Sequence, residues 1–137
     1  MRATRRGETG QLNVFVAILT VALVLVAGLV ADGGGVLAAH QQAIDEAFEA
    51  ARAGAQALDA DALRARGTVA LDPQGARAAA LGYVSALGHR CEVTVAGDRV
   101  SVTVRFVHRL AVLSAAGLRP VEVAGTATVA ATKGAGG

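Results

Sequence analysis

Apolar residues fall along this chain in three rhythms, and each predicts a different element. From Leu12 to Ala31 the sequence reads LNVFVAILTVALVLVAGLVA, twenty positions without a charge. At ~1.5 Å rise per residue such a helix is ~30 Å long, the thickness of the hydrocarbon core of a bilayer. Thr20 can bond back to the carbonyl of Val16 and Asn13 falls near the interface, so neither polar residue breaks the run.

The second rhythm runs from Val36 to about Leu58. Leu37, Gln41, Ile44, Phe48, Ala51, Ala55 and Leu58 recur at alternating spacings of four and three, which predicts one stripe on an amphipathic helix. Gln42, Asp45, Glu46, Glu49, Arg52, Gln56 and Asp59 point elsewhere. Between the two patterns stand Asp32, Gly33, Gly34 and Gly35. Each glycine costs a helix interior ~1 kcal/mol relative to alanine, so three together predict a bend or a hinge where the chain leaves the bilayer. Whether the helix continues through them stays open. If it does, residues 11–58 form a rod of ~70 Å.

Beyond the stem, Asp59 and Asp61 are cap candidates for a short turn ending at Gly67, and Thr68 to Leu71 reads as a short strand. Asp72-Pro73 predicts a helix start, with Asp as N-cap and Pro at the first position. That helix carries Ala76, Ala80, Tyr83, Val84 and Leu87 on one side, and Gly88 closes it. From Cys91 the period changes to two. Val93 and Val95 alternate with Glu92 and Thr94; Gly97-Asp98 suits a type II′ hairpin. Val100, Val102, Val104 and Phe106 then oppose Ser101, Thr103 and Arg105. A third strand sets Val121, Val123, Ala127 and Val129 against Glu122, Thr126 and Thr128. One valine face and one Thr/Ser/Arg face predict an antiparallel sheet with a covered and a wet side, covered by the 73–87 helix and the stem. The apolar connection Leu110–Leu118 reads either as a short helix packed on the sheet edge or as an exposed patch that contacts a partner or the membrane.

The pattern therefore predicts an α+β chain: a transmembrane helix extended into an amphipathic stem, then a head of one small helix and a three-stranded antiparallel sheet. Its parts are a cytoplasmic basic arm (1–11), the span (12–31), hinge and stem (32–58), the head (59–132) and a disordered tail (133–137). With aromatics at 3% the core must be built of Val, Leu and Ala. So thin a core predicts a small domain that gains stability from assembly with other chains.

Charge refines the topology. Three arginines, Arg2, Arg5 and Arg6, and one glutamate precede Leu12, whereas ten basic and ten acidic residues follow Ala31. The body is neutral, which argues against a nucleic-acid surface. Arginines beside an apolar span stay on the cytoplasmic side, so the expected location is the plasma membrane, single-pass, with the N-terminus inside and the head outside. A signal peptide has an apolar core of only ~7–15 residues, and its cleavage site would fall near Val36-Leu37-Ala38; a retained anchor fits better.

Candidate chemistry is sparse. His40, His89 and His108 share no metal-ligand spacing, and no nucleophile elbow, phosphate-binding loop or His-Glu-x-x-His motif occurs. Asp45, Glu46 and Glu49 have the spacing of a solvated helix face. Cys91 is the only cysteine, so no internal disulfide forms; at a strand start it reads as a small apolar residue. No enzyme, cofactor, metal site or small-molecule substrate is expected.

The first fifty or so residues resemble the TadE/TadG-like proteins of tight-adherence (Flp-type) pilus systems. The resemblance rests on Arg5-Arg6-Gly7, Gly10-Gln11, Val14-Phe15-Val16-Ala17, the Leu/Val/Ala span, Ala31-Asp32-Gly33-Gly34 and the stem Glu49-Ala50-Ala51-Arg52-Ala53-Gly54-Ala55. It covers about a third of the chain; the head agrees in type only. Processed pilins carry a glutamate at the fifth mature position, whereas cutting after Gly7 puts Leu12 there and cutting after Gly10 puts Phe15 there. The resemblance thus implies an unprocessed anchor and a pilin-like or pilus-assembly component that works through contacts with other pilin-like subunits and the secretion machinery. The stem contacts expected from the stripe are Leu37, Ile44, Phe48, Ala51, Ala55 and Leu58, with Gly33, Gly34 and Gly35 as hinge. Two other readings stay open: a membrane-tethered extracytoplasmic binding module unrelated to pili, and a secreted protein released after a long signal.

Overall fold

A computed structural model describes residues 8–59, 64–67 and 70–131. Helix α1 (Glu8–Ala55) is 48 residues long and unbroken, a rod of ~72 Å at ~1.5 Å per residue. The anticipated bend at Gly33, Gly34 and Gly35 is absent: all three are helical. Contacts on either side of the glycines offset their weak propensity. The Asp32 carboxylate is clasped by a distant loop, and a Cβ at Gly35 would stand 3.0 Å from His108 Nε2. Tertiary contact commonly overrides helix propensity in this way.

Helix α2 (Pro73–Ala86) begins as its sequence predicts, with Asp72 as N-cap accepting a hydrogen bond from the Gln74 N–H at 3.1 Å. Ala76, Ala80 and Val84 form its buried stripe. Tyr83 and Leu87, expected on the same side, are 40% and 45% exposed; they flank the Ala stripe, and only the small residues reach the neighbouring elements. Residues 64–66 are helical and Gly67, at φ +62°, ends them. Of the strand expected before α2, the described residues show one antiparallel bridge, Leu58 to Leu71, flanked by Asp59 N–H to Ala70 O at 2.9 Å and Asp72 N–H to Ala57 O at 3.0 Å. Asp61, Thr68 and the 133–137 tail lie outside the described residues.

Three strands follow: β1 (Arg90–Ala96), β2 (Arg99–His108) and β3 (Val121–Ala130). They form an antiparallel meander with β2 in the middle. Ala96 pairs with Arg99, so Gly97-Asp98 is a two-residue loop, and only its first residue has positive φ, as a type II′ turn requires. The architecture is α+β: a long apolar helix, a short helix and a three-stranded sheet.

The core lies where α1 and α2 cover one face of that sheet. Val100, Val102 and Val104 of β2 are fully buried, with Val93 of β1 and Val123 of β3 beside them. From α1 come Ala43, Ala47, Ala50, Ala51 and Ala55. The outer face is hydroxylic, with Thr103 paired to Thr126 at 2.9 Å and Thr128 donating to Ser101 at 3.0 Å.

Candidate functional site

The candidate site among the described residues is the surface that α1 builds with the sheet. The face of α1 toward the sheet is made of small residues at helical spacing: Ala39, Ala43, Ala47, Ala50 and Ala51, Gly54 and Ala55 are all buried. Glycines in facing elements let the backbones touch. A Cβ at Gly125 of β3 would collide with the backbone of Ala43 and Ile44, lying 2.6 Å from the Ala43 carbonyl oxygen. A Cβ at Gly54 would stand 2.8 Å from the Ala76 carbonyl oxygen of α2. At such approach only glycine fits at these two positions, and the facing helix surface has room for alanine alone.

That closeness divides the expected stem contacts between two surroundings. Ala51 and Ala55 are buried under the head, and Ile44 is half-buried. Leu37, Phe48 and Leu58 are instead 62%, 47% and 42% exposed. Leu37 and Phe48 fall on the outward side of α1 because its inward side has room only for alanine and glycine, and Leu58 lies just past the end of the helix. There they border two grooves beside β3, which is an edge strand. One, of about 450 Å³, is lined by Phe48, Arg52, Ala55, Leu58 and Val129. The other, of about 430 Å³, is lined by Gly33, Val36, Leu37, His40, Val121 and Val123.

Toward the N-terminus α1 has little cover. Every residue from Gly10 to Ala27 is exposed, and the helix is long and apolar enough to cross a membrane. Arg2, Arg5 and Arg6 lie outside the described residues.

The join between exposed and covered halves is Asp32, 3% exposed. Its carboxylate accepts hydrogen bonds from the N–H groups of Ala111 at 2.7 Å, Val112 at 3.0 and 3.1 Å, and Leu113 at 2.6 Å. These precede or open a short 3-10 helix, η1 (Leu113–Ala116). The Leu113 N–H contributes most to holding the Asp32 carboxyl below the ordinary carboxylate range, against the opposing effect of burial; the other two N–H groups and His108 act in the same direction. The 110–118 segment therefore contains a short helix, but it rests on α1 and not on the sheet edge. Leu110 is buried, Leu113 half-buried, and the rest of it exposed.

Other polar contacts fix the head. His89 Nδ1 lies 2.6 Å from Glu46 Oε2 and its ring stacks on Phe106 at 4.3 Å. Gln42 Nε2 donates to the other Glu46 oxygen at 2.8 Å, and Arg77 Nη2 donates to the Val93 carbonyl at 3.0 Å. Cys91 is a half-buried free thiol, and burial pushes its pKa up. Among the described residues no three His, Cys, Asp or Glu converge as metal ligands would.

Sequence reasoning missed Asp32 as a clasp, the Ala39/Ala43/Ala47 face and Gly125. Two signals were available: alanine every fourth residue from 39 to 55, and a lone glycine inside a strand pattern, which marks close backbone approach. The partner of Asp32, 79 residues away in the chain, left no local signal. Compared with family models, curated proteins and solved structures, the chain has no match.

Proposed function

We propose that this chain is a single-pass, pilin-like assembly component whose anchor lies in the plasma membrane and whose stem docks sideways onto other subunits. Its class is that of the TadE/TadG-like proteins it resembles, its head is extracytoplasmic, and it works through shape and apolar contact without chemistry of its own. The observation that carries this reading is the exposed pair Leu37 and Phe48 on the outward side of α1, continuous with the uncovered apolar half of the same helix, with exposed Leu58 just past its end. Exposed large apolar residues grouped on one side of a rod mark an interaction surface. The adjacent open edge of β3 and its two grooves give an incoming helix a concave seat.

The test is co-purification from detergent-solubilised host membranes of Leu37→Asp with Phe48→Asp. Both side chains are exposed, so the head keeps its fold, whereas Ile44 is half-buried and its replacement would confound folding with docking. Loss of pilus-assembly partners with retained membrane insertion supports the reading; unchanged recovery of the same partners refutes it.

A further inference from the structure

The segment Ala111–Leu118 is apolar, exposed and fixed to α1 at a particular height. Val112 packs on Gly28, where a Cβ would stand 2.5 Å from Val112 Cγ1. Gly28 lies three residues inside Ala31, the outer end of the uncharged run, so the contact sits about 5 Å below that end at ~1.5 Å per residue. Val112 is 39% and Leu118 49% exposed, and Ala111, Ala115 and Ala116 are exposed with them. Arg109 and Arg119, both exposed, bracket the segment.

Irregular backbone can enter lipid only if its polar groups are satisfied within the protein. Here six of the eight N–H groups from Ala111 to Leu118 have a partner within the protein. Asp32 takes the N–H groups of Ala111, Val112 and Leu113. Ala115 N–H donates to Val112 O, Gly117 N–H to Ser114 O, Leu118 N–H to Leu113 O, and the Ser114 hydroxyl to Ala111 O. A water-facing loop has no need of such closure.

Given the anchor reading above, on which this rests, we infer that the Ala111–Leu118 segment is a second membrane contact, seated in the outer-leaflet interface beside α1 with Arg109 and Arg119 at the lipid phosphates. Anchor and loop then touch the bilayer at two points, which sets the orientation of the head and turns the β3 edge and stem grooves in a fixed direction. The depth matches the ~5–10 Å at which interfacial segments bury their apolar side, and two arginines suit an anionic surface.

The test uses the full chain with Cys91→Ser, reconstituted in nanodiscs of phosphatidylcholine and phosphatidylglycerol that carry spin-labelled lipid. An environment-sensitive fluorophore is placed by Leu118→Cys and, independently, Ala115→Cys. Leu23→Cys reports the mid-span and Thr94→Cys the exposed far strand. Emission at 115 and 118 falls about twofold or more with shallow spin label, as expected at interfacial depth, Leu23 is quenched by deep spin label, and Thr94 by neither. Leu23 quenched while both loop sites behave like Thr94 overturns the loop contact and leaves the anchor standing; that outcome would assign the loop to a protein partner. Leu23 unquenched overturns the anchor reading itself, and the loop inference with it.

Discussion

Replacing Gly125 by alanine places one methyl group between the sheet and α1. The new Cβ would overlap the backbone of Ala43 and Ile44 and stand 2.6 Å from the Ala43 carbonyl oxygen, where ordinary contact begins at 3.4 Å. The obstructing atoms are helix backbone, so no rotamer change relieves them, and the helix must retreat by about 1 Å. A gap of that size forfeits a quarter to a half of the van der Waals attraction of every pair across it. The pairs affected join Ala43 and Ala47 to a sheet face holding Val102, Val104 and Val123, all buried. The helix cannot tilt away freely, because Asp32 and Gly54 hold it on either side. The expected loss is about 3 kcal/mol, the upper end of typical overpacking penalties. Small domains of this kind hold about 3–5 kcal/mol in all, so the loss is most of the stability of the head.

Hydrogen exchange of the β2 and β3 amides, measured on the full chain in nanodiscs, reads this directly. Exchange should quicken about 100-fold, since each 1.4 kcal/mol is about tenfold. Gly82→Ala on α2 is the control. Its Cβ meets nothing within 4 Å, and the substitution should stabilise by about 0.5–1 kcal/mol. Exchange in Gly125→Ala within a few-fold of the parent would refute backbone-level seating of α1 on β3.

Gly33→Ala and Gly34→Ala point into open space, so each should strengthen α1 by about 1 kcal/mol, seen as slower exchange around residues 30–37; faster exchange would show that the glycines are needed for the fold. Asp32→Ala should release the η1 loop while leaving the β2–β3 pairing intact, so that the 111–113 amides lose protection selectively. The folded state favours the Asp32 carboxylate, so its contribution is complete at neutral pH and is lost as pH falls through the lowered pKa of that group. Protection of the 111–113 amides should therefore persist through mildly acidic pH and fail only below the ordinary carboxylate range; loss of protection near neutrality would contradict it. Arg77→Ala removes a charged donor to the Val93 carbonyl, a part-buried contact whose loss should cost about 1–2 kcal/mol, read as a lowered unfolding midpoint by circular dichroism.

Period-two alternation placed β1, β2 and β3 on the chain, and the Asp72-Pro73 pair placed the start of α2, because those elements are fixed by neighbours in sequence. The orientation of α1 was not legible in the same way. Hydrophobicity ranks Leu37, Phe48 and Leu58 above alanine, and a stripe drawn through them points away from the head. What decides the buried side is how near two backbones come, and Gly125 sets that from 80 residues away. The continuity of α1 through Gly33–Gly35 was hidden for a related reason: local propensity speaks for a bend, and the restraint comes from Asp32 and His108 meeting distant partners. Of the expected stem contacts, Ala51 and Ala55 lie under the head, while Leu37, Phe48 and Leu58 stay exposed.

On the proposed function, one unbroken helix lies in lipid along its first half and carries the head along its second, with a small-residue face inward and large residues outward. Cysteine scanning of residues 12–58 in a Cys91→Ser background, with a water-soluble thiol reagent on intact host membranes, tests this arrangement most directly. Protection is expected all around the helix from 12 to 31. Beyond Asp32 a helical rhythm is expected, with reaction at 37, 48 or both where a subunit is not already seated, and none at 39, 43 and 47. Reaction throughout 12–31, or reactive positions at 39, 43 and 47, would contradict this arrangement.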